Sequence, residues 1–106
     1  MNRPADELRR VEIEIAEEKT AVLARIAGRL QSLIDEAAGL RTEVAAGRRR
    51  AIAAYEAVRQ QARLYRWYLE VQREAVGLSR HDDLDRLYPV PPALADQDRA
   101  ESGAAS

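Results

Sequence analysis

Residues 48–80, RRRAIAAYEAVRQQARLYRWYLEVQREAVGLSR, form the stretch that decides the predicted fold. They include the only Trp, three of the four Tyr and eight of the seventeen basic residues of the chain. Apolar side chains recur here every three or four residues, which is the spacing of one face of an α-helix. The stretch therefore predicts a helix. Its seam positions are Ala51, Tyr55, Val58, Ala62, Tyr65, Leu69, Gln72 and Val76.

A second apolar stripe runs beside this seam. Together the two stripes make an apolar face wider than contact with one neighbouring helix requires. Trp67 lies outside both stripes. We therefore expect this helix to be packed on more than one side. The second stripe consists of Leu64, Tyr68, Val71, Ala75 and Leu78.

The preceding segment, residues 5–46, carries a matching helical pattern. From Leu23 onward the pattern is a regular heptad repeat, the spacing at which helices pack as a coiled coil. Further upstream, Val11 and Val22 are eleven residues apart, a spacing that locally relaxes the supercoil. The heptad positions are Leu23, Ile26, Leu30, Leu33, Ala37, Leu40 and Val44.

The two helical segments meet at Gly47. A glycine after a heptad run suits a helix C-terminal cap, and the three arginines that follow suit a solvated bend. Gly39 is the other candidate, but Leu40 and Val44 continue the seam past it. We predict an all-α fold, a long antiparallel helical hairpin with coiled-coil packing, with helices at 5–46 and 48–80 and a bend near Gly47.

One continuous helix is the alternative. The eleven-residue spacing from Val44 to Tyr55 would let the pattern run straight through, giving a rod about 110 Å long. We favour the hairpin because it brings an acidic group on the first helix close to a basic group on the second. These groups are Glu12, Glu14, Glu17 and Glu18, and Arg63, Arg66, Arg73 and Arg80.

Residues 81–106 differ in composition from the hairpin. Ser79 to Asp82 has the pattern of a capping box, which predicts a short helical turn that Pro89 then ends. Residues 89–106, PVPPALADQDRAESGAAS, are first Pro-rich and then small and polar, so we expect an extended or disordered tail. The charge also changes along the chain: residues 1–47 carry −2, residues 48–80 carry +5 and residues 81–106 carry −4.

Composition limits the protein class. At 106 residues the chain is long enough for one domain, and without cysteine it has no disulfide or thiolate chemistry. The first ten residues lack the apolar core of a signal peptide, and no apolar run is long enough to span a membrane. We therefore expect a cytoplasmic protein with no membrane span. Sixteen Arg against one Lys indicates a GC-rich, bacterial genome.

The sequence offers little catalytic chemistry. With one His and no Cys, it supplies no nucleophile–base set, and its five glycines are scattered rather than grouped in a phosphate loop. The cluster of His81, Asp82, Asp83 and Asp85 contains metal-ligand residue types, but acidic residues at a helix start are also expected for capping, which we favour. We expect a non-catalytic protein with no cofactor and no metal. A small helical-bundle enzyme is the remote alternative.

The run LYRWYLEV, residues 64–71, is the strongest functional indication. Trp, Tyr and Arg are enriched at protein–protein hot spots, so we expect contact with a second copy, as in a four-helix bundle, or with a larger assembly. The alternative is a nucleic-acid-associated protein that contacts phosphates through Arg48, Arg49 and Arg50. The predicted interface is Leu64, Tyr65, Trp67, Tyr68, Leu69 and Val71, with a secondary docking segment at Tyr88, Pro89, Pro91, Pro92 and Leu94.

Overall fold

The computed structural model describes residues 4–78 and 80–95. It contains three helices, α1 (Pro4–Ala45), α2 (Arg50–Ala75) and α3 (Leu84–Leu87), and the described residues form no strand. Helices α1 and α2 pack against each other as a hairpin, so the predicted all-α helical hairpin is confirmed. Among the described residues, no helix is long and apolar enough to cross a membrane.

The chain turns at Gly47, which has a left-handed backbone with φ of 84°. The N–H of Gly47 donates to the carbonyl of Val44 at 3.0 Å, and the N–H of Arg48 donates to the carbonyl of Glu43 at 3.1 Å. These two bonds form a Schellman motif, which caps a helix and redirects the chain. The predicted bend is confirmed. The alternative of a rod about 110 Å long is wrong, since the longest dimension is 76 Å.

A second Schellman motif ends α2 at Ala75. Gly77 has φ of 88° and donates to the carbonyl of Glu74 at 3.0 Å, while Leu78 donates to that of Arg73 at 2.8 Å. The sequence prediction extended this helix to residue 80. The helix ends five residues earlier because a left-handed residue cannot continue a right-handed helix.

The core consists of two clusters, and each takes residues from three parts of the chain. Besides α1 and α2, residues 80–95 contribute to both clusters, and we call these residues the return segment. It supplies Leu84 to one cluster and Leu94 to the other. The buried members of the first cluster are Leu30, Leu33, Ala62, Leu69 and Leu84. Those of the second are Ala37, Val44, Ala51, Tyr55 and Leu94.

The return segment runs from the end of α2 back toward the bend. Its one helical turn, α3, is shorter than the predicted turn, and Asp83 occupies the cap position without a side-chain capping bond. Ser79, the first residue of the predicted capping box, lies outside the described residues. The predicted tail is described only for residues 89–95, which have no helix or strand; residues 96–106 also lie outside the described residues.

The predicted charge pairing across the hairpin is wrong for Arg66 and Arg73. Arg66 forms ion pairs with Glu70 and with Asp85 of the return segment, and Arg73 donates a hydrogen bond to the carbonyl of Arg80 at 2.9 Å. The register explains the difference. Tyr65 lies beside Arg29, so the neighbouring Arg66 is more than ten residues along α1 from the four glutamates. Arg73 is in the last turn of α2, and its guanidinium bonds the return segment instead.

Substitution by Ala should change the free energy of unfolding in opposite directions at Gly47 and at Gly39. We expect Gly47→Ala to lower the free energy of unfolding by about 1–2 kcal/mol, because an L-residue is strained in the left-handed region. Gly39→Ala is the matched control: it lies within α1, a Cβ there meets no atom within 4 Å, and the gain in helix propensity should stabilise by about 0.5–1 kcal/mol. Urea unfolding measures both. If both variants raised the free energy of unfolding, or both lowered it, the assignment of the bend to Gly47 would be contradicted.

Candidate protein-interaction surface

One side of α2 exposes a group of large apolar side chains, and we call this group the aromatic face. Its members are spaced three or four residues apart, so they lie on the side of the helix turned away from α1. Trp67 is the most exposed of them at 56%. Large apolar side chains that remain this exposed together mark a contact surface. The aromatic face consists of Leu64, Trp67, Tyr68 and Val71.

The rings on this side of α2 contact one another. The Trp67 and Tyr68 ring centroids are 5.4 Å apart, and those of Tyr68 and Tyr65 are 5.5 Å apart with nearly perpendicular planes. Edge-to-face pairs of this kind are favourable, so each ring limits the rotation of its neighbour. The Arg29 guanidinium lies 6.0 Å from the Tyr65 ring centroid and joins this cluster to α1. The rings of the aromatic face are therefore packed against neighbouring side chains of the chain itself.

Two predicted interface residues belong instead to the hairpin's interior. Leu69 is 4% exposed and lies in the first core cluster, and Tyr65 is half-buried against that cluster. Both lie on the seam that faces α1. Leu69 and Tyr65 therefore hold α2 against α1. The other apolar residues of the run are exposed and make up the aromatic face.

The predicted docking segment packs largely on its own chain. Leu94 is 6% exposed in the second core cluster, Pro91 is buried, and Tyr88 is half-buried against the first cluster. Pro89 and Pro92 stay exposed. The segment therefore covers the hairpin rather than standing free for another protein.

Two side chains of α2 hold this segment by its backbone. The Tyr55 hydroxyl donates to the carbonyl of Pro92, and the Arg59 Nε donates to the carbonyl of Pro91 at 3.0 Å. A Pro-rich chain offers free carbonyls because its prolines have no N–H and hold it extended. Neither contact was predicted from the sequence. The sequence did indicate one of them indirectly: Tyr55 lies on the apolar seam, and the hydroxyl of a buried tyrosine needs a hydrogen-bond partner.

Arg66 ties the return segment to α2. Its side chain is 8% exposed overall, and it lies 2.5 Å from a carboxylate oxygen of Glu70 and 2.9 Å from one of Asp85. A buried guanidinium requires such pairing, because a charge left unpaired in the interior is strongly destabilising. Arg66 is therefore a structural residue and is not available for a partner.

The acidic cluster near His81 is divided among different partners. The His81 Nε2 lies 3.0 Å from a carboxylate oxygen of Glu74, Asp85 pairs with Arg66, and Asp83 lies 3.6 Å from Arg86. Within residues 4–78 and 80–95, no group of three or more His, Asp or Glu side chains could hold a metal ion. The contacts of His81 with Glu74 and of Asp85 with Arg66 attach the start of the return segment to α2.

The three arginines at the bend lie at one end of the hairpin. Arg48 forms an ion pair with Glu43 at 3.2 Å, and all three side chains are exposed. Arg49 precedes α2 and Arg50 is its first residue. The structure thus presents a small basic end, in which Glu43 partly offsets the charge.

Burial raises the pKa of the Tyr55 hydroxyl above its ordinary value of 10.0, and the nearby Arg41 and Arg59 oppose this shift. The folded chain therefore keeps the Tyr55 proton at pH values where the unfolded chain releases it. The stability that this provides is complete below pH 10 and is lost as the pH rises through the folded-state pKa.

We expect Tyr55→Phe to lower the free energy of unfolding at neutral pH by about 1 kcal/mol, because the bond to the Pro92 carbonyl is lost. The variant should also lose less stability than the wild type above pH 10. Urea unfolding across this range measures both effects. Tyr68→Phe, on the exposed aromatic face, is the matched control. Identical alkaline profiles for Tyr55→Phe and wild type would contradict this role of Tyr55.

Comparison with known proteins adds no relative: no family model, no curated protein and no solved structure matches this chain.

Proposed function

We propose that this protein is a non-catalytic interaction subunit, which assembles through helical packing as a homo-oligomer or as a small component of a larger protein assembly. The observation that carries the proposal is the aromatic face. Leu64, Trp67, Tyr68 and Val71 are 40%, 56%, 37% and 39% exposed, on a helix whose opposite side is fully used by the core.

The composition of this face fits a protein partner. Trp and Tyr supply large contact areas with few rotatable bonds, and they dominate the energetics of many protein interfaces. The two rings are already packed against each other, so binding costs less side-chain entropy than it would for free rings. The basic Arg63 is exposed on the same helix, at the polar rim that an interface requires.

The aromatic face can be tested apart from folding. We expect Trp67→Ala with Tyr68→Ala to change the free energy of unfolding by only about 0.5 kcal/mol per site, because both side chains are exposed. The same pair should lower the mass of the assembly isolated from the host cell after mild crosslinking. Leu69→Ala, one residue away but buried, should instead cost about 2–5 kcal/mol.

The matched surface control on the same helix is Gln60→Ala with Gln61→Ala, since both side chains are exposed. It should change neither the free energy of unfolding nor the mass of the assembly. An assembly of unchanged mass and composition in the Trp67 and Tyr68 variant would contradict the proposal.

Nucleic-acid binding is a second candidate, supported by the exposed cluster of Arg48, Arg49 and Arg50 at the bend. If these residues contact phosphates, the binding constant for a DNA or RNA oligonucleotide should fall with salt, with a log–log slope of about −2 to −3. Replacing all three by Gln should remove most of that slope. Fluorescence anisotropy across a salt series measures it, and binding that is insensitive to salt would exclude this candidate.

A further inference from the structure

The aromatic face belongs to a longer stripe on the outer side of α2, which we call the outer seam. Its residues are spaced alternately three and four positions apart, which is the heptad spacing of a coiled-coil seam. Every one of them is exposed, and none is charged. The outer seam consists of Ala54, Ala57, Gln61, Leu64, Tyr68, Val71 and Ala75.

The outer seam is separate from the side of α2 that the chain itself covers. Arg59, Arg66 and Arg73 recur every seven residues, and all three contact the return segment. The row next to these arginines includes Tyr55 and Ala62, which are buried in the core clusters. By helical geometry both rows lie on the far side of α2 from the outer seam. An uncharged heptad seam that the fold leaves exposed is suited to packing against a further helix.

The sizes of the side chains fit a second copy of the same seam in antiparallel orientation. With a two-fold axis at the level of Arg66, Leu64 of each copy lies beside Tyr68 of the other. Trp67 borders the outer seam and is 56% exposed, and in this arrangement it lies next to the axis. The largest apolar side chains therefore meet at the centre, where interface hot spots are found. Alanines occupy both ends of the seam, so the helix backbones can approach each other closely there.

Charges that border the outer seam favour this orientation and register. Antiparallel pairing brings like edges together, so Arg63 of each copy lies opposite Glu70 of the other. A shift by one heptad would set Arg63 against Arg63 in one direction and Glu70 against Glu70 in the other. In parallel pairing this edge would face the uncharged Tyr65 and Gln72 instead. Glu70 can take a second partner, because its side chain is 37% exposed while one carboxylate oxygen pairs with Arg66.

The remaining charged residues of α2 do not oppose the arrangement. The two helices overlap along residues 57–75 of each copy, so Arg50 and Glu56 lie outside the overlap. The three arginines that contact the return segment are on the far side of α2. Glu74 borders the outer seam, and it lies opposite the uncharged Gln60 of the other copy. The register therefore brings no like charges of α2 together.

The opposite edge of the outer seam lies beside one charged residue of α1. Arg29 is 6.0 Å from the Tyr65 ring centroid, and in this register Tyr65 of each copy faces Tyr65 of the other. The two tyrosine rings then lie between the two Arg29 guanidiniums. Each guanidinium keeps the favourable contact with its own ring.

We propose that two copies of this chain pair antiparallel through the outer seam of α2, with the two-fold axis at the level of Arg66. The contact is two-fold symmetric, so it closes on itself and gives a dimer rather than a filament. The two hairpins form a four-helix assembly in which each α2 lies inside and each α1 lies outside. The N-terminal parts of the two α1 helices project from opposite ends of the dimer.

Absolute mass determination in line with small-angle scattering tests the pairing on the full chain. We expect twice the chain mass of 11.9 kDa, or 23.8 kDa. The particle should be roughly 100 Å long, because the axis lies in the half of each 76 Å hairpin that is nearer the bend. Trp67→Ala with Tyr68→Ala should raise the dissociation constant at least about 100-fold, because four aromatic side chains are lost from the centre of the interface.

Two control variants change exposed residues outside the aromatic face. Leu8→Asn with Val11→Asn alters exposed apolar residues near the start of α1, and Gln60→Ala with Gln61→Ala leaves the outer seam uncharged. Both should keep the mass at 23.8 kDa, twice the chain mass. A wild-type chain that stays at 11.9 kDa at all concentrations would overturn the proposal. So would a dimer that is lost in a control variant and kept in the aromatic-face variant.

Engineered cysteines test the orientation and register, since the chain has none of its own. In the proposed register Gln61 of one copy lies beside Val71 of the other, whereas the two Gln61 residues are about 15 Å apart along the helices. That distance is too long for a disulfide, whose Cα atoms lie within about 7 Å of each other.

Gln61→Cys and Val71→Cys chains are oxidised separately and as an equal mixture, and circular dichroism confirms that both remain helical. The mixed disulfide should be the dominant product. Like-with-like disulfides would show parallel pairing, and a mixture without disulfides would show another register. Either result would overturn the inference.

This inference deepens the proposed function and rests on it, but the two can fail separately. The purified chain could be monomeric while Trp67→Ala with Tyr68→Ala still lowers the mass of the assembly in the host cell. The aromatic face then binds a different protein, and only the inference is wrong. If the variant changes neither the purified chain nor the assembly in the host cell, the proposed function is wrong as well.

Discussion

Two glycines with left-handed backbones, Gly47 and Gly77, set the constraint on which the rest of the structure depends. The first ends α1 and turns the chain back, and the second ends α2 after 26 residues. Their separation fixes how much of the 42-residue α1 can be covered by its own chain. The buried seam on α1 accordingly begins only near Leu30, while residues 5–21 stay exposed.

A hairpin of two helices leaves a wide apolar surface on both partners, and the return segment closes part of it. Leu84 and Leu94 each complete one core cluster, so burial of apolar area stabilises the packing of the segment on the hairpin at two points. Polar contacts then set its path, because Tyr55 and Arg59 bond the carbonyls of its prolines and Arg66 pairs with Asp85. The return segment covers the groove between the helices and leaves the outer side of α2 open.

Polar side chains and exposed apolar side chains have separate places in this fold. The side chains of Arg66, Arg73 and His81 make contacts between α2 and the return segment, whereas the aromatic face is apolar and exposed. A surface of packed aromatic rings is suited to contact with proteins.

The sequence by itself determined the all-α class, the seams on both helices and the bend, because periodicity and a left-handed glycine are local properties of the chain. It placed the end of α2 only within residues 77–80, because the left-handed backbone of Gly77, which ends the helix at Ala75, is seen only in the structure. It predicted a contact surface in the run LYRWYLEV, and only the tertiary structure separated the buried Leu69 from the exposed Trp67 and Tyr68. The docking of residues 89–95 was likewise decided by tertiary structure. A Pro-rich segment has no local preference for a site, and it is held only by hydroxyl, guanidinium and apolar groups that the fold brings together from residues more than thirty positions away.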